Sequence, residues 1–263
     1  MLKELFNLSG FPYLPQEATP SVKEKIFTLL KVYGLIFLSL LFVGPFTYLA
    51  DTFVTHVIHA KSIRQQNDVS FQHLIQKLGY GVALLYICII GPVLEETVFR
   101  LPLSFKRGHI ALGISVAIFL FGSLLPPVKA FSHSIGAGYA LLIRLALVPV
   151  IYFIIKKLLP VNLSVGRAYK KVFVIISICL FGLMHISNYA PLQWQLIWIY
   201  PVYVLPQLIM GWGITYIRFK NGFIWGIALH CLINSVAMGL SYVDKTHTVP
   251  VKVHPVHVVM KKG

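Results

Sequence analysis

Residues 79–100 read GYGVALLYICIIGPVLEETVFR, a long apolar run that ends in acidic residues. From Gly79 to Leu94 the run contains no charged side chain, and Glu95 and Glu96 follow directly. A helix needs about 20 mostly apolar residues to cross the hydrocarbon of a bilayer. The stretch therefore predicts a membrane-spanning helix with two carboxylates near one end.

Similar apolar runs recur along the chain of 263 residues, of which 57% are apolar and 12% are charged. Soluble domains are typically about half apolar and about a quarter charged, so the composition disfavours an ordinary soluble enzyme. We predict an all-α, polytopic transmembrane helix bundle of about seven spans, or eight if Pro201 and Pro206 split the sixth. The predicted spans are residues 26–50, 79–99, 109–125, 136–159, 172–189, 192–217 and 223–243.

The spans divide the chain into an N-terminal segment (1–25), a transmembrane domain (26–243) and a polar C-terminal tail (244–263). With seven spans, the loops richest in lysine and arginine lie on the same side as the N-terminus. These residues are Lys106, Arg107, Lys156, Lys157, Arg167, Lys170, Lys171, Arg218 and Lys220. The positive-inside rule then predicts a cytoplasmic N-terminus. The net charge of +15 reflects such membrane flanks, and since no nucleic-acid-binding motif is present we predict a lipid bilayer and no nucleic-acid partner.

Few acidic or histidine side chains fall inside the predicted spans. Of eight acidic residues only Glu95 and Glu96 do so, and of ten histidines only His185 and His230. A charge at the middle of a bilayer costs roughly 2.5–3.5 kcal/mol on insertion scales. Such groups persist where they pair with one another or face a polar cavity. Three different helices are therefore predicted to share one polar site.

The spacing of the polar residues suggests a structural pair beside a chemical group. Glu96 and Arg100 are four residues apart, so they share a helix face and can form an ion pair. Glu95 points about 100° away from that face, which leaves its carboxylate for another partner. His230 and Asn234 are also four residues apart and project from one face of the last span.

A carboxylate and a neutral imidazole can together activate water, which makes Glu95 the candidate base, assisted by His185. His230 and Asn234 are then the candidate hydrogen-bond donors to the oxyanion that forms. The same residues permit other functions. Glu95, His185 and His230 could hold zinc with an open position for water, although no HExxH motif is present. A proton-coupled transporter, or a non-catalytic membrane scaffold with a structural polar cluster, would also retain these groups.

Three short motifs resemble those of the CAAX-protease and bacteriocin-processing (CPBP, or Abi) family of intramembrane proteases. They are Glu95-Glu96-x-x-x-Arg100, Phe181-x-x-x-His185 and His230-x-x-x-Asn234. Each motif lies in an apolar run, and their order is that of the family, which defines a family-like core at about residues 79–243. Two additional apolar runs lie between Arg100 and Phe181, where typical members have a shorter connection.

The resemblance implies a membrane-embedded endopeptidase that requires no cofactor. In the family, the first glutamate and the histidine of the second motif are thought to activate water, and the third motif to form the oxyanion site. The resemblance thus adds support to the roles of Glu95, His185, His230 and Asn234. It also implies a membrane-associated or leader-bearing peptide substrate and a bacterial cytoplasmic membrane, with zinc as the alternative cofactor.

Overall fold

The computed structural model describes residues 2–13, 20–122, 137–161 and 163–247, and no strand occurs among them. The all-α fold class is therefore confirmed. The α-helices are α1 (Leu2–Leu5), α2 (Val22–His56), α3 (Ile63–Leu78), α4 (Tyr80–Leu85), α5 (Gly91–Phe99), α6 (Arg107–Phe121), α7 (Ala137–Leu158), α8 (Arg167–Met184), α9 (Tyr200–Tyr203), α10 (Leu205–Asn221) and α11 (Phe223–His247). A π-helical segment at Tyr86–Ile90 joins α4 to α5, and 3₁₀ turns occupy Leu8–Tyr13, Leu101–Ser104, His185–Tyr189 and Trp194–Leu196.

Each of the seven predicted runs contains a helix. Among the described residues, five helical segments are long and apolar enough to cross a membrane. These five are Val22–His56, Tyr80–Phe99, Tyr139–Leu158, Arg167–Tyr189 and Phe223–Ser241. The third run forms the shorter apolar helix α6 and the sixth contains α10. Parts of three predicted segments lie outside the described residues. They are the end of the third run (123–125), the start of the fourth (136) and most of the polar tail (248–263).

The sixth run is divided because each of its prolines begins a helix. Pro201 lies in the first turn of α9 and Pro206 in the first turn of α10, where the missing N–H leaves no intrahelical bond unmade. The part of the run before α10 consists of short turns whose tyrosines, Tyr200 and Tyr203, are buried. It is shorter than the about 20 residues that a span requires.

Most of the region between the first two predicted spans forms the helix α3. Asp51 of α2 fixes the start of this helix. Its carboxylate accepts hydrogen bonds from Ser62 Oγ at 2.7 Å, from the backbone N–H groups of Ile63 and Arg64 at 2.9 and 3.2 Å, and from Tyr203 Oη at 3.1 Å. A carboxylate is favoured at a helix N-terminus because it satisfies N–H groups that have no partner within the helix.

The helix α10 lies at the centre of the bundle and packs against α2, α8 and α11. Its residues Ile214, Tyr216 and Ile217 are fully buried. The N-terminal segment covers one end of α10, since Phe11 packs edge-to-face on Tyr216 at 5.5 Å between ring centroids. Many large apolar side chains of α2 and α7 remain exposed on the outside of the bundle, as is expected of helices that face lipid.

Helix ends on one side of the bundle are joined by hydrogen bonds. Arg218 Nε near the end of α10 donates to the backbone carbonyl oxygen of Arg100, just past the end of α5, at 2.7 Å. Asn221 Nδ2 donates to the carbonyl oxygen of Lys25, near the start of α2, at 2.9 Å. The start of α2 and the ends of α5 and α10 therefore share one side of the molecule, which is the arrangement that the seven-span prediction requires.

Candidate active site

The helix that carries the two glutamates changes its hydrogen-bond register just before them. In the π-helical segment the N–H of Gly91 bonds to the carbonyl of Tyr86, five residues back. The next N–H in that register would belong to residue 92, which is a proline and has none. The carbonyl of Ile87 is thus left for another donor, and Asn234 Nδ2 of α11 bonds to it at 2.9 Å. Such π segments within α-helices are frequent at functional sites.

The predicted ion pair between Glu96 and Arg100 is present and wholly buried. Arg100 Nη1 donates to Glu96 Oε1 at 3.0 Å, and both side chains are 0% exposed. Because neither charge reaches solvent, each needs its partner and further hydrogen bonds to offset the cost of burial.

Further contacts to Arg100 come from α8 and α10. Its Nη2 donates to the carbonyl oxygen of Gly211 at 3.2 Å, and its Nε donates to Thr215 Oγ1 at 3.4 Å. The guanidinium carbon lies 3.8 Å from the centroid of the Phe181 ring, within the range of a cation–π interaction. Residue 211 must be glycine for this packing, since a Cβ there would lie 2.8 Å from Phe181 Cδ1 and 3.0 Å from Arg100 Nη2.

The imidazole of His230 lies between the two glutamates. Its Nδ1 is 3.0 Å from Glu96 Oε1, and its Nε2 is 3.8 Å from Glu95 Oε2. Glu96 Oε1 also accepts a hydrogen bond from Arg100, so Nδ1 of His230 is assigned as the donor in its contact with Glu96. This assignment turns Nε2, the other ring nitrogen, towards Glu95.

His185 begins the 3₁₀ turn after α8, next to Phe181. Its Nδ1 lies 2.8 Å from the carbonyl oxygen of Phe181, to which it donates, so the neutral ring offers Nε2 as an acceptor. The Phe181 ring contacts His185 at 4.9 Å and His230 at 5.5 Å between centroids, both edge-to-face. Phe181 thus contacts the histidines of the second and third motifs as well as Arg100.

The two glutamates differ in how accessible they are. The Glu95 side chain is 23% exposed, whereas that of Glu96 is 0% exposed. One oxygen of each, Oε2, is buried and has no hydrogen-bond partner among the described residues. On the more accessible Glu95 this oxygen lies 3.8 Å from His230 Nε2.

The structure thus brings five of the six candidate residues into a continuous set of contacts. Glu95, Glu96, Arg100 and His230 interact directly, and His185 joins them through Phe181. The sixth, Asn234, lies one turn from His230 on α11, with its amide directed at the carbonyl of Ile87.

The described residues contain no group of three or more His, Cys, Asp or Glu side chains that could hold a metal ion. His230 Nδ1 is engaged by Glu96 and His185 Nδ1 by a backbone carbonyl, which leaves Nε2 of each ring as the nitrogen that could bind a metal. Whether the protein binds zinc stays a prediction.

Gly211 and Thr215, which contact Arg100 from α10, were not predicted from the sequence. They are four residues apart in an apolar run, so the sequence puts a hydroxyl and a small residue on one helix face. This spacing does not indicate a partner, because nothing in the local sequence relates α10 to Arg100. The free carbonyl of Ile87 was foreseeable only in part, since Pro92 predicts a released carbonyl but not the π register.

Helices that span a membrane and carry buried carboxylate, imidazole and guanidinium groups in mutual contact define a polytopic membrane protein with an intramembrane ionisable site. The family model described as type II CAAX prenyl endopeptidase Rce1-like matches residues 77–236, which include all three motifs. The chain belongs to this family, so the predicted resemblance is confirmed and the protein is a multi-pass membrane endopeptidase by family. No curated protein and no solved structure gives a significant match to the chain.

Proposed function

We propose that the protein hydrolyses a peptide bond within the membrane, with Glu95 as the base that activates water. The observation that carries this proposal is the asymmetry of the two glutamates. Glu96 is enclosed by Arg100 and His230, whereas Glu95 is partly accessible and its Oε2 lies 3.8 Å from His230 Nε2. A partly buried carboxylate next to an imidazole is suited to take and return a proton.

The chemistry proceeds in two steps in this proposal. Glu95 takes a proton from water while the water oxygen attacks the carbonyl carbon of the scissile bond, whose π electrons move to the carbonyl oxygen. The tetrahedral intermediate then collapses, the C–N bond breaks, and the amine leaves with the proton that Glu95 held. His185 assists the first step, because its Nε2 is an acceptor that can orient the same water while Phe181 holds Nδ1–H.

His230 and Asn234 are the proposed donors to the oxyanion. Since Glu96 holds the Nδ1 hydrogen of His230, a second hydrogen, on Nε2, would be the one donated to the oxyanion. One hydrogen of the Asn234 amide is used by the carbonyl of Ile87, and the second remains for the oxyanion. Glu96 and Arg100 would act by holding His230 in place.

The proposed substrate is a membrane-associated or leader-bearing peptide, because the site lies on helices that cross the bilayer. We also propose that the N-terminus is cytoplasmic and that the membrane is a bacterial cytoplasmic membrane. Support for the orientation comes from the shared side of Lys25 and Arg218, since basic residues concentrate on the cytoplasmic side.

The proposal is tested by cleavage of a membrane-anchored peptide by the purified full-length protein in lipid nanodiscs, with the products identified by mass spectrometry. A library of peptides that carry a C-terminal lipid, or a hydrophobic leader, supplies the substrate. The wild type is expected to cleave, and Glu95→Gln to lower kcat at least about 100-fold, as loss of a general base does. Glu24→Gln, at an exposed capping glutamate, is the matched control.

Retention of cleavage by Glu95→Gln would refute the assigned role. Addition of a chelator distinguishes the zinc-dependent mechanism from the metal-free one. If the proposed mechanism is right, activity survives 1,10-phenanthroline and metal analysis finds no stoichiometric zinc in the active protein. Loss of activity on chelation, with recovery on addition of zinc, would instead support the zinc interpretation.

A further inference from the structure

The helix α10 carries none of the three motifs, yet three of its groups bind a single motif residue. The carbonyl of Gly211 and the hydroxyl of Thr215 accept from the guanidinium of Arg100, and Arg218 Nε donates to the backbone carbonyl of Arg100. These contacts join residues more than 100 positions apart, so they exist only in the folded bundle.

Thr215 is the side chain at the centre of these contacts. It is fully buried, and its Oγ1 donates to the carbonyl of Gly211 at 2.6 Å, four residues back in the helix. The hydroxyl hydrogen is thereby committed, which leaves the lone pairs of Oγ1 to face Arg100 Nε at 3.4 Å. The same carbonyl of Gly211 accepts from Arg100 Nη2.

Three hydrogen bonds fix the orientation of the planar guanidinium of Arg100. Nη1 of Arg100 bonds to Glu96, Nη2 to Gly211 and Nε to Thr215. A guanidinium held in this way cannot turn about its long axis without losing a hydrogen bond. Its Nη1 then shares Glu96 Oε1 with Nδ1 of His230, so the position of the guanidinium sets that of the imidazole.

We propose that Thr215 is a positioning residue for the hydrolytic site, acting through Arg100 and Glu96 on the tautomer and orientation of His230. This inference rests on the proposed function for its effect on catalysis, but its effect on His230 does not depend on that function. Thr215, Arg100 and Glu96 are all 0% exposed, so none of them is available to bind a substrate. Loss of the hydroxyl should therefore lower kcat and leave KM unchanged.

The test uses Thr215→Val, which replaces the hydroxyl by a methyl group of similar size, and Thr215→Ser, which restores the hydroxyl. Ser115→Ala is the matched control, because Ser115 is also fully buried and bonds to a carbonyl four residues back, in α6. Each full-length variant is studied in nanodiscs by peptide cleavage, thermal unfolding and ¹⁵N NMR of the imidazole nitrogens. The signal of His230 is assigned by its loss in His230→Gln.

Thr215→Val is expected to lower kcat on the order of tenfold, since a buried guanidinium N–H loses its acceptor. Its KM should stay at the wild-type value, and the Nδ1–H signature of His230 should weaken. Thr215→Ser and Ser115→Ala should retain both the kcat and the signature of the wild type.

The proposal is overturned if Thr215→Val keeps the wild-type kcat and His230 signal, or if its only effect is a lower melting temperature with an unchanged kcat per folded molecule. Failure of the proposed function gives a different result. In that case the wild type cleaves no peptide, while Thr215→Val still changes the His230 signal.

Discussion

Replacement of Arg100 by methionine tests whether the buried ion pair holds the site together. In Arg100→Met, Glu96 keeps its hydrogen bond to His230 but loses the only guanidinium within reach among the described residues. Both side chains of the pair are 0% exposed, so the remaining carboxylate cannot be solvated. Removal of one partner of a buried pair costs about 3–5 kcal/mol, because an uncompensated charge is left behind.

Arg100→Met also removes two further stabilising contacts. The cation–π contact with Phe181 is desolvated and is worth about 2 kcal/mol, and the carbonyl of Gly211 loses one of its side-chain donors. Because contacts in one network are not additive, we keep about 3–5 kcal/mol as the expected decrease in the free energy of unfolding. The double variant Glu96→Gln/Arg100→Met removes both charges and should recover most of this loss, since replacement of a whole buried pair is often neutral.

The measurement is equilibrium unfolding of the purified variants in mixed micelles, followed by tryptophan fluorescence. Arg64→Met, at an exposed arginine of α3, is the control and should stay within about 0.5 kcal/mol of the wild type. Wild-type stability of Arg100→Met, or a double variant no more stable than the single one, would contradict the account of the buried pair.

Two further substitutions follow from the packing. Gly211→Ala should destabilise the fold by about 1–3 kcal/mol in the same unfolding assay, because its Cβ would lie 2.8 Å from Phe181 Cδ1. Gly34→Ala is the control and should leave the stability unchanged, since a Cβ at residue 34 meets no atom within 4 Å. Equal stability of the two would show that α10 can move away from Phe181. Asp51→Asn should lower the free energy of unfolding by about 1–2 kcal/mol, because it weakens the capping of α3. Amide hydrogen exchange should become faster in the first turn of α3. Asp68→Asn, at an exposed residue of the same helix, is the control. Unchanged exchange there would refute the capping role.

The site was predictable from the sequence to the extent that its contacts are local. The Glu96–Arg100 pair follows from a spacing of four residues on one helix, and the structure contains it. The separation of roles between Glu95 and Glu96 follows from the angle between adjacent helix positions. That His185 and His230 belong to the same site was inferred from the cost of isolated polar groups in hydrocarbon, and both contact Phe181.

Contacts between helices could not be read in this way. The sequence predicted that His230 and Asn234 share a face, but not that His230 Nδ1 bonds to Glu96 or that Asn234 bonds to the carbonyl of Ile87. The second contact depends on the π register before Pro92, which is a small change in backbone hydrogen bonding. Thr215 had no visible role because its partner, Arg100, lies 115 residues away in the chain.

The amino-acid sequence by itself determined that this chain is a helical membrane protein with its polar groups gathered at one site. Apolar runs of span length and the free energy of burying charge are properties of composition and order, so they need no knowledge of packing. Only the tertiary structure decided which helix supports which, and it gave α10 the contacts that hold Arg100. Interhelical hydrogen bonds depend on the rotation and depth of each helix, and those are set by close packing around small residues such as Gly211.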